Sequence, residues 1–190
     1  MSDGRHVTED RLRPRLTYIS WAESCSRSDA TARELGGTSH MVYAPAYGSR
    51  ASTILWKYRA QWRETTRILR EEQPDVVAVM TPPLVAALAV LGYVRRRGAR
   101  LVLDAHSAAF LHPRWKYLQW LQRWLCRQAA TTLVHNDHIA ALVRAAGGHA
   151  TLIRAPEAMR AAIPAFHPQP PALATLEARE IGRASCRERV

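Results

Sequence analysis

Three side chains that could do chemistry follow a short apolar run at residues 101–103: Asp104, His106 and Ser107. A carboxylate, an imidazole and a hydroxyl exchange protons and hydrogen bonds near neutral pH. The run is typical of a strand buried on both faces, and open α/β sheets bind ligands at the carboxyl ends of such strands. We therefore predict that His106 is catalytic and that Asp104 and Ser107 bind substrate. The alternative for His106 is a structural imidazole bonded to nearby backbone.

Two other predicted strands also end in polar or turn-forming residues. Thr81 and Pro82 follow one of them, and Asn136 follows the other. The carboxyl ends of all strands in a doubly wound sheet face one crevice. Thr81, Pro82 and Asn136 are therefore predicted to line that crevice beside Asp104 and to bind substrate.

A further candidate site is the segment Ser26, Arg27 and Ser28, which lies where a helix is predicted to begin. Free backbone N–H groups at the helix start and a guanidinium would together bind an anionic part of a substrate. The alternative is an ordinary serine cap beside a solvated arginine. The chain contains neither a G-x-G-x-x-G turn nor a Walker lysine motif, which argues against hydride-transfer and phosphate-loop enzymes.

Alternating strand and helix patterns must position these residues. Predicted strands cover residues 16–20, 39–43, 75–81, 100–103, 131–135 and 151–153. Predicted helices cover residues 29–35, 52–72, 84–94, 114–128 and 139–146, and the helix at 84–94 is apolar enough to be buried. This alternation is typical of an α/β fold with a doubly wound, Rossmann-like parallel sheet.

Composition limits the class of protein. The 190 residues carry a net charge of +11, from 25 Arg and 2 Lys against 16 acidic residues, which favours anionic partners. No nucleic-acid-binding module is recognisable, so nucleic acid is not predicted as a partner. Three cysteines without metal or disulfide spacing favour the cytoplasm, and the longest apolar run is too short to span a bilayer.

The ends of the chain are predicted to lie outside the folded domain. Residues 1–15 are predicted to be a disordered arm, residues 16–160 the Rossmann-like domain, and residues 161–180 a linker. Residues 181–190 look like translated sequencing adapter, with a natural Arg-rich tail as the alternative; without them the charge falls to +9. We therefore expect the natural chain to continue past Glu180.

The helix predicted at 114–128 mixes aromatic and basic residues. Such a helix could lie on a membrane surface. A helix that packs its apolar side on the core and solvates its basic side explains the same pattern, and this is the interpretation we favour. The residues concerned are Trp115, Lys116, Arg123, Trp124 and Arg127.

In the order and spacing of these motifs, residues 16–160 resemble the N-terminal domain of GT-B glycosyltransferases, closest to the family 4-like group. The matching motifs are the turn from Ser26 to Ser28, Pro74-Asp75, Pro82-Pro83, the run from Asp104 to Ser107, His135-Asn136 and Pro156. Unlike many members of the group, the chain has no Gly-Gly turn after its first strand.

The resemblance implies the acceptor-side half of a two-domain enzyme. Such an enzyme transfers a sugar from a nucleotide-sugar to a glycan or lipid-linked acceptor, usually with retention of configuration and without a metal or other cofactor. It implies that His106 faces the donor sugar, and that the chain alone is inactive. Cell-surface polysaccharide synthesis in the cytoplasm, with peripheral contact to the inner face of the membrane, fits this group. The alternatives are a non-catalytic module for an anionic lipid or protein partner, and a nucleotide-sugar epimerase.

Overall fold

A computed structural model describes residues 14–47 and 51–153, which build one six-stranded parallel sheet. Its strand order is β2-β1-β3-β4-β5-β6, and helices connect the strands, which confirms the predicted α/β, Rossmann-like fold. The strands are β1 (Leu16–Ser20), β2 (Thr38–Met41), β3 (Val76–Thr81), β4 (Arg100–Ala105), β5 (Thr131–Val134) and β6 (Ala150–Leu152). The helices are α1 (Ser26–Glu34), α2 (Ile54–Glu72), α3 (Leu84–Arg97), α4 (Ser107–Leu111), α5 (Gln119–Gln128) and α6 (Asp137–Ala145).

The two faces of the sheet bury different side chains because successive residues of a strand point to opposite sides. Ile19, Val79 and Leu103 are paired in register across three strands and belong to the main core. Helix α3 covers that core with seven buried residues, as its apolar sequence predicts. Tyr18 and Ala78 face the other side, where they pack with Ala32 of α1 and with the other members of a smaller cluster.

Helix α1 begins three residues earlier than its predicted start at residue 29. Cys25 occupies the N-cap position, so Ser26, Arg27 and Ser28 form the first turn of the helix. This brings the guanidinium of Arg27 to the carboxyl edge of the sheet, where every helix that follows a parallel strand begins.

The helix predicted at 114–128 is divided. Residues Pro113–Leu118 form a 3-10 turn, and only Gln119–Gln128 are α-helical. Proline fixes the start of the 3-10 turn, and Nδ1 of His112 accepts a hydrogen bond from the backbone N–H of Arg114 at 3.1 Å. The short helix α4, directly after β4, was not predicted.

Helix α2 buries polar as well as apolar residues on its core-facing side. The inward side consists of Lys57, Gln61, Thr65 and Ile68, all buried, and Nε2 of Gln61 donates to the carbonyl of Val42 at 2.8 Å. Leu55, Trp62 and Leu69 recur every seven residues, yet Leu55 and Trp62 are 77% and 40% exposed whereas Leu69 is buried. Lys57 and Gln61 occupy inward helical positions, so Leu55 and Trp62 point outward.

The predicted domain ends lie mostly outside the described residues. This applies to residues 1–13 of the predicted arm, to the linker 161–180 and to the tail 181–190. Arg15, at the end of the predicted arm, donates its backbone N–H to the carboxylate of Asp75 at 2.9 Å. Within residues 14–47 and 51–153, no helix combines the length and the apolarity that crossing a membrane requires.

Candidate active site at the carboxyl edge of the sheet

Asp104 is the centre of the candidate site. Its side chain, at the end of β4, is 1% exposed. The Tyr18 hydroxyl donates to one carboxylate oxygen, and Nη2 of Arg27 donates to the other in an ion pair. A buried carboxylate with two such donors is held in one orientation, because each of its oxygens has a fixed partner.

Sheet register explains how residues so far apart in sequence meet. Tyr18, Ala78 and Val102 are aligned across β1, β3 and β4, so Asp104, two residues further along β4, points to the same face of the sheet as Tyr18. Helix α1 packs over that face and supplies Arg27 from its first turn.

Burial keeps the Tyr18 hydroxyl protonated. Desolvation raises the pKa of Tyr18 to about 12, although a hydrogen bond from Ser28 and the charge of Arg27 act in the opposite direction. Tyr18 is therefore a hydrogen-bond donor to Asp104 at physiological pH. The charges of Arg27 and Asp104 offset one another, so the pair adds little net charge to the crevice.

His106 carries the one ring nitrogen of the site that is buried without a partner. Its backbone N–H donates to the carbonyl of Thr81 at 3.0 Å, which holds the residue against β3. Among the described residues, Nε2 of the ring has no hydrogen-bond partner. A buried nitrogen of this kind is expected to meet a ligand or water, because burial without a hydrogen bond costs free energy.

His106 is uncharged at neutral pH. Desolvation by burial, the positive charge of Arg27 and the neighbouring His135 lower the pKa of His106 to about 4. The His135 ring stands edge-on to the His106 ring, with the centroids 6.1 Å apart. Burial and then Arg27 also lower the pKa of His135, whose Nε2 contacts Nη1 of Arg27.

Asn136 and Ser107 lie on the outer rim of this cluster. Nδ2 of Asn136 and Oγ of Ser107 are 3.5 Å apart. Oδ1 of Asn136 accepts from the backbone N–H of Ile139 at 2.9 Å and so caps α6. Asn136 is exposed and Ser107 half-buried, so both border the crevice.

The remaining predicted residues divide into inner and outer positions. Ser28 is fully buried and shares a 2.7 Å hydrogen bond with Ser20. Thr81 is also buried, and its hydroxyl donates to the backbone carbonyl of Asp104 at 3.4 Å. Ser26 is exposed and Pro82 is half-buried. The hydroxyls of Ser28 and Thr81 thus join neighbouring elements of the protein, and their predicted substrate contacts stay predictions.

Sequence reasoning did not include Tyr18 and His135 among the site residues. Tyr18 sits inside an apolar strand, and its role depends on the register of β1 and β4, which no local pattern encodes. His135 directly follows β5, so its place at a strand end was an available signal. Within the described ranges, no three His, Cys, Asp or Glu side chains are grouped as a metal ion would require.

The cluster joins a neutral imidazole, a fixed guanidinium and the starts of two helices at one edge. Helix starts present free N–H groups and a partial positive charge, which suit phosphate or another anion. The imidazole of His106 and the side-chain amide of Asn136 can form hydrogen bonds with hydroxyl groups of a ligand.

Comparison with known proteins gives the family. Residues 11–156, more than three quarters of the chain, match the family described as glycosyl transferase 4-like domain. No curated protein matches the chain significantly in sequence. The structure of UGT73P12 from Glycyrrhiza uralensis, solved with glycyrrhetinic acid 3-O-monoglucuronide, is similar with a TM-score of 0.50 and 10% identity.

That similarity covers 73% of this chain and 48% of UGT73P12, so the chain spans about half of the solved structure. At this identity the likeness is one of fold. It agrees with a GT-B type of Rossmann-like domain. The family match and the fold together show that this chain belongs to the glycosyl transferase 4-like family.

Proposed function

We propose that this chain is the acceptor-side half of a glycosyltransferase that moves a sugar from a nucleotide-sugar to a glycan or lipid-linked acceptor. The observation that carries the proposal is the buried, unpartnered Nε2 of His106 beside Arg27 and Asp104, in a chain of this family. A second domain, with the donor side of the site, would complete the enzyme. Cell-surface polysaccharide synthesis in the cytoplasm is the proposed setting.

The proposed reaction exchanges one bond at the anomeric carbon of the donor sugar. An acceptor hydroxyl oxygen forms a bond to that carbon, and the bond from the carbon to the diphosphate oxygen breaks. The nucleoside diphosphate leaves with the electron pair, and an oxygen of the departing diphosphate takes the proton of the acceptor hydroxyl. We propose that configuration is retained, with the attack on the side from which the diphosphate departs.

In this proposal His106 binds and orients hydroxyl groups. A pKa of about 4 makes His106 a weak base at neutral pH, so it is poorly suited to full proton abstraction. The neutral ring still offers one donor and one acceptor nitrogen. Hydrogen bonding from the buried Nε2 to the sugar or to the attacking hydroxyl fits this pKa better than acid–base catalysis does.

Arg27 and the start of α1 are proposed to face the diphosphate or an anionic acceptor. Tyr18 and Asp104 hold the guanidinium of Arg27 in place, as the hydrogen bonds through Asp104 indicate. N–H groups of the guanidinium and of the helix start that are already held in place stabilise a leaving anion without reorganising during the reaction, while Asp104 offsets the net charge of Arg27. Ser26 and Asn136, both exposed at helix starts, are proposed to bind the same substrates from the rim.

The test is sugar transfer by the full-length protein, with the downstream sequence recovered from the gene. We expect transfer from a nucleotide-sugar to an acceptor, and we expect His106→Ala to lower kcat by about 100-fold or more. His138→Ala is the matched control, because His138 is an exposed histidine of the neighbouring helix α6.

Three results would count against the proposal. Full-length protein without a second α/β domain would favour a non-catalytic binding module. Conversion of a nucleotide-sugar without any acceptor would favour an epimerase. Equal kcat values for His106→Ala and His138→Ala would show that His106 has no role in sugar transfer.

A further inference from the structure

Helix α2 buries a lysine at the carboxyl edge of the sheet. Lys57, in the first turn of the helix, is only 6% exposed. Among the described residues, no carboxylate lies within ion-pair distance of Lys57. Residues 42–63 contain neither Asp nor Glu, so the helix start and the segment before it offer no counter-charge. Lysine is rarely buried to this extent without a partner, because the ammonium group loses its hydration.

The ring of Tyr43 lies beside this ammonium group. Nζ of Lys57 is 5.3 Å from the centre of the ring. Attraction between a cation and an aromatic face offsets part of the lost hydration, but it supplies no oxygen acceptor for the N–H donors of the ammonium group. Tyr43 is 39% exposed, so a ligand that packs on this ring from solvent would lie close to Nζ.

The next residue on the inward side of α2 also has an unused polar atom. Gln61, one helical turn after Lys57, is 2% exposed. Its Nε2 donates to the carbonyl of Val42, whereas Oε1 is enclosed with no hydrogen-bond partner among the described residues. We call Lys57 and Gln61 the polar pair. A ligand that satisfies the pair must accept hydrogen bonds from the ammonium group and donate one to Oε1.

Two strand ends hold the polar pair in place. Trp21 directly follows β1, and its Nε1 donates to Oγ1 of Thr65 at 2.8 Å, on the same side of α2 as the pair. The backbone N–H of Val42 donates to the carbonyl of Ser20 at 2.7 Å, so the segment after β2 continues beside β1. The polar pair therefore packs on the carboxyl ends of β1 and β2.

The polar pair and His106 occupy the same edge of the sheet at separate places. His106 follows β4, and β1 and β3 lie between β4 and β2 in the sheet. The ends of β2 and β4 are thus three strand spacings apart, which is roughly 14 Å. One sugar ring does not span that distance, whereas a chain of several sugars does.

We propose that the polar pair binds a sugar unit that carries an anionic group, either a carboxylate or a phosphate. Lys57 donates to the anionic oxygens, and a hydroxyl of the same sugar donates to Oε1 of Gln61. The exposed ring of Tyr43 gives the sugar an apolar surface to pack on, as aromatic side chains do in other ligand sites. As a subsite for an acceptor glycan, the inference rests on the proposed function, and it places the anionic unit away from the hydroxyl that attacks.

The experiment is an NMR titration of the 190-residue chain with three single sugars at constant ionic strength. Glucuronate carries a carboxylate, glucose 6-phosphate carries a phosphate, and glucose carries neither. We expect one of the anionic sugars to bind about tenfold or more tightly than glucose, with a dissociation constant on the order of millimolar. The stronger of the two identifies the anionic group. Signals of Val42, Tyr43 and the side-chain amide of Gln61 should shift.

Lys57→Met removes the charge at nearly unchanged side-chain volume. Binding of the anionic sugar should weaken by about tenfold or more and lose its advantage over glucose, because the charged donor is gone. The melting temperature should stay the same or rise, since an unpaired buried charge is removed. Arg59→Met is the matched control, because it removes one positive charge from an exposed position of the same helix and should leave the preference unchanged.

Three results overturn the proposal. The first is that neither anionic sugar binds more tightly than glucose, and the second is that Lys57→Met and Arg59→Met reduce the preference equally. The third is that acetate shifts the same signals at the same concentration as glucuronate, which would show a site for any anion. A lower melting temperature of Lys57→Met with an unchanged preference would assign Lys57 a structural contact with Tyr43 alone.

These measurements need no sugar transfer. If the full-length protein failed to transfer sugar while the anionic sugar still bound, only the proposed function would be contradicted. If transfer occurred without any preference for the anionic sugar, only this inference would be contradicted.

Discussion

Two carboxylates join distant segments at opposite edges of the same sheet, and they do so differently. At the amino edge, Glu72 accepts hydrogen bonds from the hydroxyls of Thr17 and Thr38, at 2.5 and 2.8 Å, and its other oxygen lies 2.5 Å from Nε2 of His40. At the carboxyl edge, Asp104 is held by Tyr18 and Arg27.

The surroundings of the two carboxylates differ in burial and in the charge of their partners. Glu72 is 28% exposed, and neutral hydroxyls supply most of its hydrogen bonds. Asp104 is almost fully buried, pairs with a charged guanidinium, and lies beside the unpartnered Nε2 of His106. Burial without a hydrogen bond costs stability, and at the carboxyl edge it falls on an imidazole beside a buried ion pair, which supports the proposed ligand site there. At the amino edge, the hydrogen bonds of Glu72 tie α2 to β1 and β2.

The largest difference is expected in stability. Asp104→Ala should lower the free energy of unfolding by about 3 kcal/mol, because it leaves the partly buried Arg27 without its counter-charge. Glu72→Ala should lower it by about 1 kcal/mol, since solvent can replace the lost partners. Urea unfolding of the two variants measures both.

Arg27→Met combined with Asp104→Ala is the control for that result. Removal of both charges should recover part of the lost stability, because no unpaired buried charge remains. Equal losses for Asp104→Ala and Glu72→Ala would contradict the comparison.

The next difference is expected in the pH dependence of stability. Folding lowers the pKa of His106 from 6.5 to about 4. Between these two pH values the ring is protonated in the unfolded chain and neutral in the folded chain. Stability is therefore lost as pH falls from about 6.5 towards 4, by about 2–3 kcal/mol. His106→Asn should abolish that loss, whereas His138→Asn should preserve it, in urea midpoints measured across this range.

Glu72 is expected to affect folding stability at lower pH than His106 does. Burial raises its pKa, but hydrogen bonds from Thr17, Thr38 and His40 outweigh burial and leave the pKa below 4.5. The stability from this lowered pKa is present above 4.5 and lost as pH falls through the folded value. If Glu72→Gln removed the loss of folding stability between pH 6.5 and 4, that loss would belong to the amino edge and not to His106, which would contradict this prediction.

The smallest expected effect is on the pKa of His106, and it tests whether the charge of Arg27 acts on that ring. Arg27→Met should raise the pKa of His106 by about one pH unit, because a nearby positive charge no longer disfavours the imidazolium. The pKa should stay below 6.5, since burial is the larger cause. NMR titration of the histidine ring measures it, with Arg15→Met at the amino edge as control. An unchanged His106 pKa in Arg27→Met would show that the two residues are not coupled.

Much of the architecture could be predicted locally. The strand at 75–81 and the helix at 84–94 are visible from apolar runs and from the prolines between them, and both exist. The grouping of Asp104, Ser107 and Asn136 at one edge follows from parallel strands alone. Their roles in binding, and that of His106 in catalysis, stay predictions.

Other features could not be read from local patterns. The inward side of α2 is an example, because Lys57 and Gln61, both polar, are buried while Leu55 is exposed. Tertiary contacts, such as the hydrogen bond from Nε2 of Gln61 to the carbonyl of Val42 directly after β2, decide that rotation.

The sequence by itself determined the order of strands and helices and the polar residues at the strand ends, because periodicity and turn residues act over a few positions. Tertiary structure alone decided that Tyr18 meets Asp104 across 86 residues, that Arg27 closes the pair, and that His106 is buried uncharged. Register, desolvation and charge pairing are set by segments far apart in the chain, so no local pattern encodes them.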